Sequence, residues 1–430
     1  MIAVKLGVRN LLRNRWRSGL TLSAIAVSVG LMVWTLAFYE GWLSQMVQGA
    51  TAVETVQVQI HTAEYVETPR VYNSFVADAD LLNAVRSVPG VVSLSPRVKA
   101  HGLLGNEARS QVARFMGVDP AMEASTTPVV NGLVAGRWIA QTPPEYPVPR
   151  EVVLGQGLAQ QLRVDVGAEL VAFLEAADGS LGNELFEVVG VVRTGNMQVD
   201  RMTAYIHLED ARFVTALEGQ VHELAIHTAD LSQARVTAAA IADSTGLRLG
   251  APAEGSSIVG DALVVQPWQE ILPSIDQMII LFKRSYWIMY LLVYLVAAVG
   301  VLNTQQMSAL ERRREFGVMM AIGMRPRRMF RTLEVETIIL GVLGGLIGAV
   351  VGGLLAWRHT TRGFDLTLFT DEASFSFMSV SFSERLYFVL QPSMIVQPIV
   401  IMLLVAIVCG LIPAWKAARI DPAPTISGRI

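Results

Sequence analysis

The chain has 430 residues, of which 52% are hydrophobic and only 17% charged. Soluble domains carry about 25% charged residues, so a wholly aqueous fold is excluded, and a formal net charge of −3 gives no basis for a nucleic-acid binder. The single cysteine, Cys409, cannot form an intramolecular disulfide.

Crossing a hydrocarbon core of ~30 Å takes about 20 apolar residues of helix, and four stretches qualify. Residues 1–18 precede the first of them and hold Lys5, Arg9, Arg13, Arg15 and Arg17 with no acid. Their four-residue repeat, with Leu6, Leu11, Leu12 and Trp16 able to enter the headgroup boundary, predicts a cytoplasmic amphipathic helix. Residues 19–48 read as a first span with an extension beyond the bilayer. The apolar run is too long for a secretory signal and no Ala-x-Ala site follows it.

Residues 49–267 read as an extracytoplasmic α+β domain. Over 42–275 there are 26 acidic against 14 basic residues, the reverse of a cytoplasmic loop. Thr55–His61 and Gln111–Val118 alternate with period two, and Glu184–Val192 is rich in strand formers. Helices are expected near 78–87, 155–163, 208–217 and 230–243, the first opened by Asp78 and Asp80 and closed by Pro89-Gly90. The Pro-rich stretch 142–149 is the expected internal connector. His222 and His227 read as ordinary strand residues.

A second helix is expected over 268–306, with no interior proline and only Gly300 from Ser274 to Gln306. At 1.5 Å per residue it reaches roughly 50 Å, so it overshoots the bilayer as a stalk, with Lys283 and Arg284 at the outer headgroups. Residues 307–331 follow, with seven arginines across 303–331 against Glu311 and Glu315. By the positive-inside rule they are cytoplasmic. Phe316, Met319, Met320 and Gly323 fall at i, i+3, i+4 and i+7, an apolar stripe expected to face the bilayer surface or a groove on another protein. A third span over 332–357 carries Gly341, Gly344, Gly345, Gly348 and Gly352, several at GxxxG spacing for close helix approach. A loop over 358–392, a fourth span over 393–415 and a cytoplasmic tail over 416–430 complete the chain. The expected fold is thus a membrane α-helical bundle of four spans with both termini cytoplasmic in the cell inner membrane.

No catalytic constellation is visible. The four lysines include none in a G-x-x-x-x-G-K-[ST] loop, no H-E-x-x-H holds a metal, and no G-x-S-x-G offers a nucleophile.

The segment ERRREFGVMMAIGMRPRRMF (311–330) closely resembles the E-R-x-x-E-[IF]-G-x-x-x-A-[IL]-G signature of MacB/FtsX-type ABC transporter permeases. The resemblance continues in Glu336, in the ending Pro413-Ala-Trp-Lys-Ala-Ala-Arg-Ile-Asp-Pro422, and in VVSLSPRV (91–98), GVDP (117–120) and VVLGQGLAQQLRVDVGAEL (152–170) of the outward domain. It implies that the outward domain is a MacB-like periplasmic core domain. It also implies a non-catalytic permease whose ATP and Mg are bound by a partner ATPase dimer, with a second copy or related permease completing the unit. The resemblance places Glu315, Phe316, Gly317, Met319, Met320, Ala321 and Gly323 on the coupling helix that meets the ATPase. ATP-driven closure there would travel along the stalks (mechanotransmission).

Phe186–Asp210 looks most like the lipoprotein-releasing (LolC/LolE-like) permeases, which implies extraction of lipoproteins or other lipid-anchored cargo from the outer leaflet. Trp34, Phe38, Trp42, Met278 and Phe282 are the cavity candidates, and membrane lipid is a further contact. The short 175–185 connection leaves no room for the hook with which one lipoprotein-releasing subunit captures its chaperone. The chain then either plays the partner role without a hook or belongs to another branch, and two alternatives stand: a MacB-like efflux of drugs, peptides or toxins with a periplasmic adaptor, and an FtsX-like regulator of a cell-wall hydrolase.

Overall fold

The computed structural model describes residues 15–145, 147–250, 262–368, 375–377, 380–382 and 385–419. The amphipathic helix expected over 1–18 and the tail over 416–430 lie largely outside these residues, as do parts of the 358–392 loop. The chain divides into two units. One comprises the chain up to Ser44, Ile280–Leu368 and the chain from Arg385; the other comprises Gln45–Ile279 and Phe369–Glu384.

Among the described residues, four helices are long and apolar enough to cross a membrane. They are Arg15–Ala50, Pro273–Glu311, Pro326–Arg362 and Pro392–Ala418. Three begin on proline, whose fixed φ suits a first turn and whose missing N–H has no partner to lose there. Ile25, Val29, Met32 and Leu36 of the first span helix are buried with Tyr290, Tyr294 and Val301 of the second. The Tyr294 hydroxyl donates to the Pro398 carbonyl at 3.0 Å, tying the second span helix to the fourth. Leu295, Val296, Val350, Leu354, Leu404 and Val408 point outward and are exposed, as a lipid-facing surface requires.

The glycines of the third helix form two faces, and both meet partners within this chain. A Cβ on Gly344 would run into Ile25, one on Gly348 into the Ala26 carbonyl, and one on Gly352 into the backbone of Gly30. On the other face, Gly341 lies against Ala406 and Leu403, and Gly345 against Ile399. Lipid tails supply no hydrophobic drive to pack helices, so close backbone approach is what holds them.

The second unit is an α+β domain on one eleven-stranded sheet. Its strands are β1 (Val58–Thr62), β2 (Val91–Gly105), β3 (Ser110–Val118), β4 (Leu133–Gly136), β5 (Arg150–Gly155), β6 (Glu169–Glu175), β7 (Leu181–Val192), β8 (Thr203–His207), β9 (Glu223–Thr228), β10 (Arg248–Leu249) and β11 (Leu263–Pro267). Their order is β10-β11-β1-β9-β2-β3-β8-β5-β7-β4, with β6 paired to β2 and β7. Pairing is mixed: β2 and β3 form a long antiparallel hairpin, while β3–β8 and β5–β7 are parallel. The helix expected near 78–87 is Ala79–Arg86, capped by the Asp78 carboxylate accepting from the Leu81 N–H at 2.8 Å. The one expected near 155–163 is Gln156–Leu162, closed by Arg163 in the left-handed region.

The segment read as a short connection before Phe186 belongs mostly to a hairpin. β6 turns into β7 through Ala176–Ser180, where the Ala176 N–H donates to the Ser180 carbonyl at 2.9 Å. The Asp178 carboxylate accepts from the Ser180 N–H and hydroxyl, so the turn is closed by its own side chains.

Gly348→Leu is expected to lower the thermal stability of the full-length protein in detergent by about 1–3 kcal/mol through overpacking against Ala26. Gly353→Leu, where a Cβ meets nothing within 4 Å, should leave it unchanged. Equal losses in the two variants would refute the close-packed face.

Candidate functional site: the arginine-rich hairpin and the stalk joint

The second span helix stops at Glu311, and a short helix, Arg313–Ala321, leads to the third span helix at Pro326. Gly323 ends the short helix with φ +101, a conformation that glycine adopts without a Cβ clash. The Met324 N–H donates to the Met319 carbonyl and the Gly323 N–H to the Met320 carbonyl, both at 3.0 Å, the paired bonds of a Schellman closure. Arg312 fixes the other corner. Its guanidinium donates to Glu315 at 3.3 Å and Glu336 at 3.2 Å and lies 5.0 Å from the Phe316 ring centre.

The apolar stripe expected to be exposed turns inward instead. Phe316 is only 1% exposed and clusters with Met329, Leu333, Ala414 and Ala417, with Met319 and Met320 packed alongside. Gly317 is also buried. The fourth span helix supplies Ala414 and Ala417, a long-range contact that spacing within 311–330 does not report. The outer surface is made by residues the pattern did not single out: Ile322 is 82% exposed and Val318 44%. Of the seven positions placed on the coupling helix, Ala321 and Gly323 are exposed and Glu315, Met319 and Met320 half-buried.

The five cavity candidates do not form one group. Trp42 meets Phe282 at 5.2 Å with ring planes at 87°, and Tyr39 extends this contact to Phe282 and Tyr286. Glu40 pairs with Lys283 at 3.4 Å on the same two helices. Trp34 and Phe38 pack with His359, Phe364 and Phe388, and Phe38 also meets Tyr39 at 5.6 Å, which links the two sets of rings. There the chain after Arg385 lies on the first span helix: the Val389 N–H donates to the Ala37 carbonyl at 3.2 Å. A Cβ on Gly41 would overlap the Tyr387 carbonyl. Met278 is half-buried within the other unit.

In that unit, the end of the first span helix is held by a buried cation. After Ala50 the helix widens into a π-turn, Thr51–Thr55, and the chain enters β1 through Val56 at φ 55. A β-branched residue in that region is strained by about 1–3 kcal/mol, so its surroundings must enforce it. Arg97 of β2, fully buried, donates from Nη1 to the Glu54 carbonyl at 2.7 Å and from Nη2 to the Val53 carbonyl at 2.9 Å. Its other donors reach Glu123 (Nε, 3.0 Å; Nη2, 2.6 Å) and Glu223 (Nη1, 3.1 Å). All five guanidinium N–H groups are therefore used.

Secondary structure places each partner. Glu223 lies directly across from Arg97 in the β2–β9 register. Lys99, two residues along β2 and thus on the same face, bonds Glu223 at 2.5 Å. Glu123 comes from the helix Pro120–Thr126, capped by Asp119. Arg114 adds an ion pair to the Glu54 carboxylate. Burial alone would raise the Glu223 carboxyl, but Lys99 and Arg97 outweigh it and hold its pKa below the usual carboxylate value. Beside them, burial pushes His222 down to about 4. Its neutral ring accepts from the Lys99 N–H at Nδ1 and reaches the Val71 carbonyl at Nε2. At the end of the family-like VVSLSPRV segment, the sequence signal was Arg97 with Lys99 two residues on, two cations on one face of a strand.

Among the described residues, no group of three His, Cys, Asp or Glu side chains could hold a metal ion.

Four apolar helices with a large α+β domain inserted between the first and second define a polytopic membrane permease of the ABC-transporter class. The chain belongs to the MacB/FtsX family of these permeases: residues 18–244 match the MacB-like periplasmic core domain and residues 287–422 the FtsX-like permease C-terminal region. It is 24% identical over 355 residues to the lipoprotein-releasing system transmembrane protein LolC of Neisseria meningitidis serogroup B, covering 80% of this chain and 79% of that one. It is 23% identical over 444 residues to LolC of Xylella fastidiosa, covering 99% and 98%. It is 24% identical over 425 residues to the pyoverdine export ATP-binding/permease protein PvdT of Pseudomonas fluorescens, covering 96% of this chain and 57% of that longer one. The relatives are components of ABC transporters, which implies an ATPase partner in general terms.

Arg97→Met leaves two buried carboxylates short of a partner and is expected to cost about 3–5 kcal/mol of unfolding free energy. Arg97→Met/Glu123→Gln should recover part of this, because Glu223 keeps Lys99. Denaturant unfolding of the full-length protein in detergent measures both, and a double variant no more stable than the single would refute the pairing.

Proposed function

We propose that this chain is the permease subunit of an ABC transporter that extracts lipoproteins or similarly lipid-anchored cargo from the outer leaflet of the inner membrane. ATP is hydrolysed on a separate subunit. The arginine-rich hairpin and both termini face the cytoplasm, as the positive-inside rule directs, and the α+β domain faces the periplasm. The ATPase docks on the outer surface of the hairpin, with Ile322, Val318 and Ala321 entering its groove. Phe316, Met319 and Met320 back that surface from inside.

The observation that carries this reading is the unbroken helix Arg15–Ala50 ending in the Arg97-held joint. At 1.5 Å per residue its 36 residues extend about 54 Å, and the 39 of Pro273–Glu311 about 58 Å. Both exceed a ~30 Å hydrocarbon core. A helix longer than the hydrocarbon core, leading into a turn whose carbonyls Arg97 holds, is suited to convey displacement without a channel for cargo. The likeness to LolC along nearly the whole chain supports lipoproteins as the cargo class, and the paired aromatics Trp42 and Phe282 offer the apolar surface an acyl chain needs.

A second reading, efflux through a periplasmic adaptor, is favoured by one feature. The tight turn at Ala176–Ser180 carries no extended segment to capture a chaperone.

Ile322→Glu is expected to reduce co-purification of the ATPase subunit at least tenfold while membrane insertion stays intact. Unchanged co-purification would remove the hairpin surface as the docking site. Photo-crosslinkers at Trp42 and Phe282 should capture acylated protein in cells, whereas adducts to a periplasmic adaptor alone would favour efflux.

A further inference from the structure

The second and fourth span helices end side by side at the arginine-rich hairpin, and a pocket of about 330 Å³ opens between them. Ala309, Leu310 and Ala417 contribute an apolar floor, and Arg313, Lys416 and Arg419 contribute the cations. No Asp or Glu lines it, and among the described residues none of the three cations forms an ion pair. Their neighbour behaves differently: Arg312 is held by Glu315 and Glu336. Three like charges lining one pocket, with no counter-charge among the described residues, suit an anion.

We propose that this pocket binds a phosphate group, held as the head of an anionic phospholipid. Phosphate suits the convergent Arg, Lys and Arg set. The surroundings favour a lipid over the free ion. Leu310 is exposed in the pocket lining, and Ile412, one turn before Lys416, is exposed too, an apolar surface where acyl chains can lie. Trp415 is also exposed, with the Arg419 guanidinium 3.9 Å from its ring centre, an arrangement suited to the headgroup layer. Basic pockets between span helices select anionic headgroups in this way. The site stands independently of the cargo class and would make the hairpin sensitive to the lipid around it.

The test is native mass spectrometry of the full-length chain equilibrated with phosphatidylglycerol or phosphatidylcholine in mixed micelles. Wild type should retain phosphatidylglycerol at least tenfold more than phosphatidylcholine. In K416Q/R419Q that retention should fall roughly 10–30-fold, at about fivefold per lost cation, with phosphatidylcholine retention unchanged. Both side chains are exposed, and R419Q alone, expected to lose about fivefold, serves if the double variant inserts poorly. Equal retention of the two lipids, or undiminished phosphatidylglycerol in the variants, would overturn the proposal. Inorganic phosphate binding to the lipid-free protein as tightly as phosphatidylglycerol would overturn the lipid assignment in favour of a free anion.

Discussion

A guanidinium taken wholly out of water is tolerated only when every donor finds an acceptor and its charge finds opposite charge. Arg97 meets both conditions by drawing on four separate parts of the chain: the π-turn after the first span helix, the β2 strand that carries it, Glu123 on the helix after β3, and Glu223 on β9. None of these can move alone without exposing a donor or stranding a carboxylate. The end of the first span helix is thereby made part of the domain's interior, and the strained Val56 is held between the joint and β1. Because the charge is shared among Arg97, Lys99, Glu123 and Glu223, the cluster is neutral. Its worth lies in fixing one geometry more than in adding net stability.

In the membrane unit the same demand for a fixed geometry is met without charge. Small residues on the third helix let the backbones of the first and fourth come close, and Tyr294 adds a hydrogen bond to Pro398. The second helix makes fewer contacts of this kind and keeps much of its apolar surface outward.

Between the second and third helices the chain resolves a conflict between amphipathic pattern and packing. Phe316, Met319 and Met320 lie on the face of a short helix that the fourth span helix covers with Ala414 and Ala417. The surface left to a partner is narrower than the pattern suggests and centres on Ile322 and Val318. Arg312, paired with Glu336 in the third turn of the third helix, joins the hairpin to the span that follows it. The hairpin is therefore a packed unit and not a loose loop.

Sequence alone determined the four apolar helices, the inserted α+β domain and the family, because span length, charge asymmetry and the ERRREFG motif are local properties. Local patterning also located several helices and strands, such as Ala79–Arg86 behind its Asp78 cap. It could not say which side of the hairpin stripe faces inward, since Ala414 and Ala417 come from about a hundred residues away. Nor could it separate Trp34 and Phe38, which meet Phe364 and Phe388, from Trp42, which meets Phe282. The role of Arg97 was likewise decided only by tertiary structure: an arginine in a strand becomes a joint once β-register brings Glu223 opposite it and folding brings Glu123 and the π-turn carbonyls to its remaining donors. Pairing across such distances is set by how the whole sheet closes, and no window of sequence contains that information.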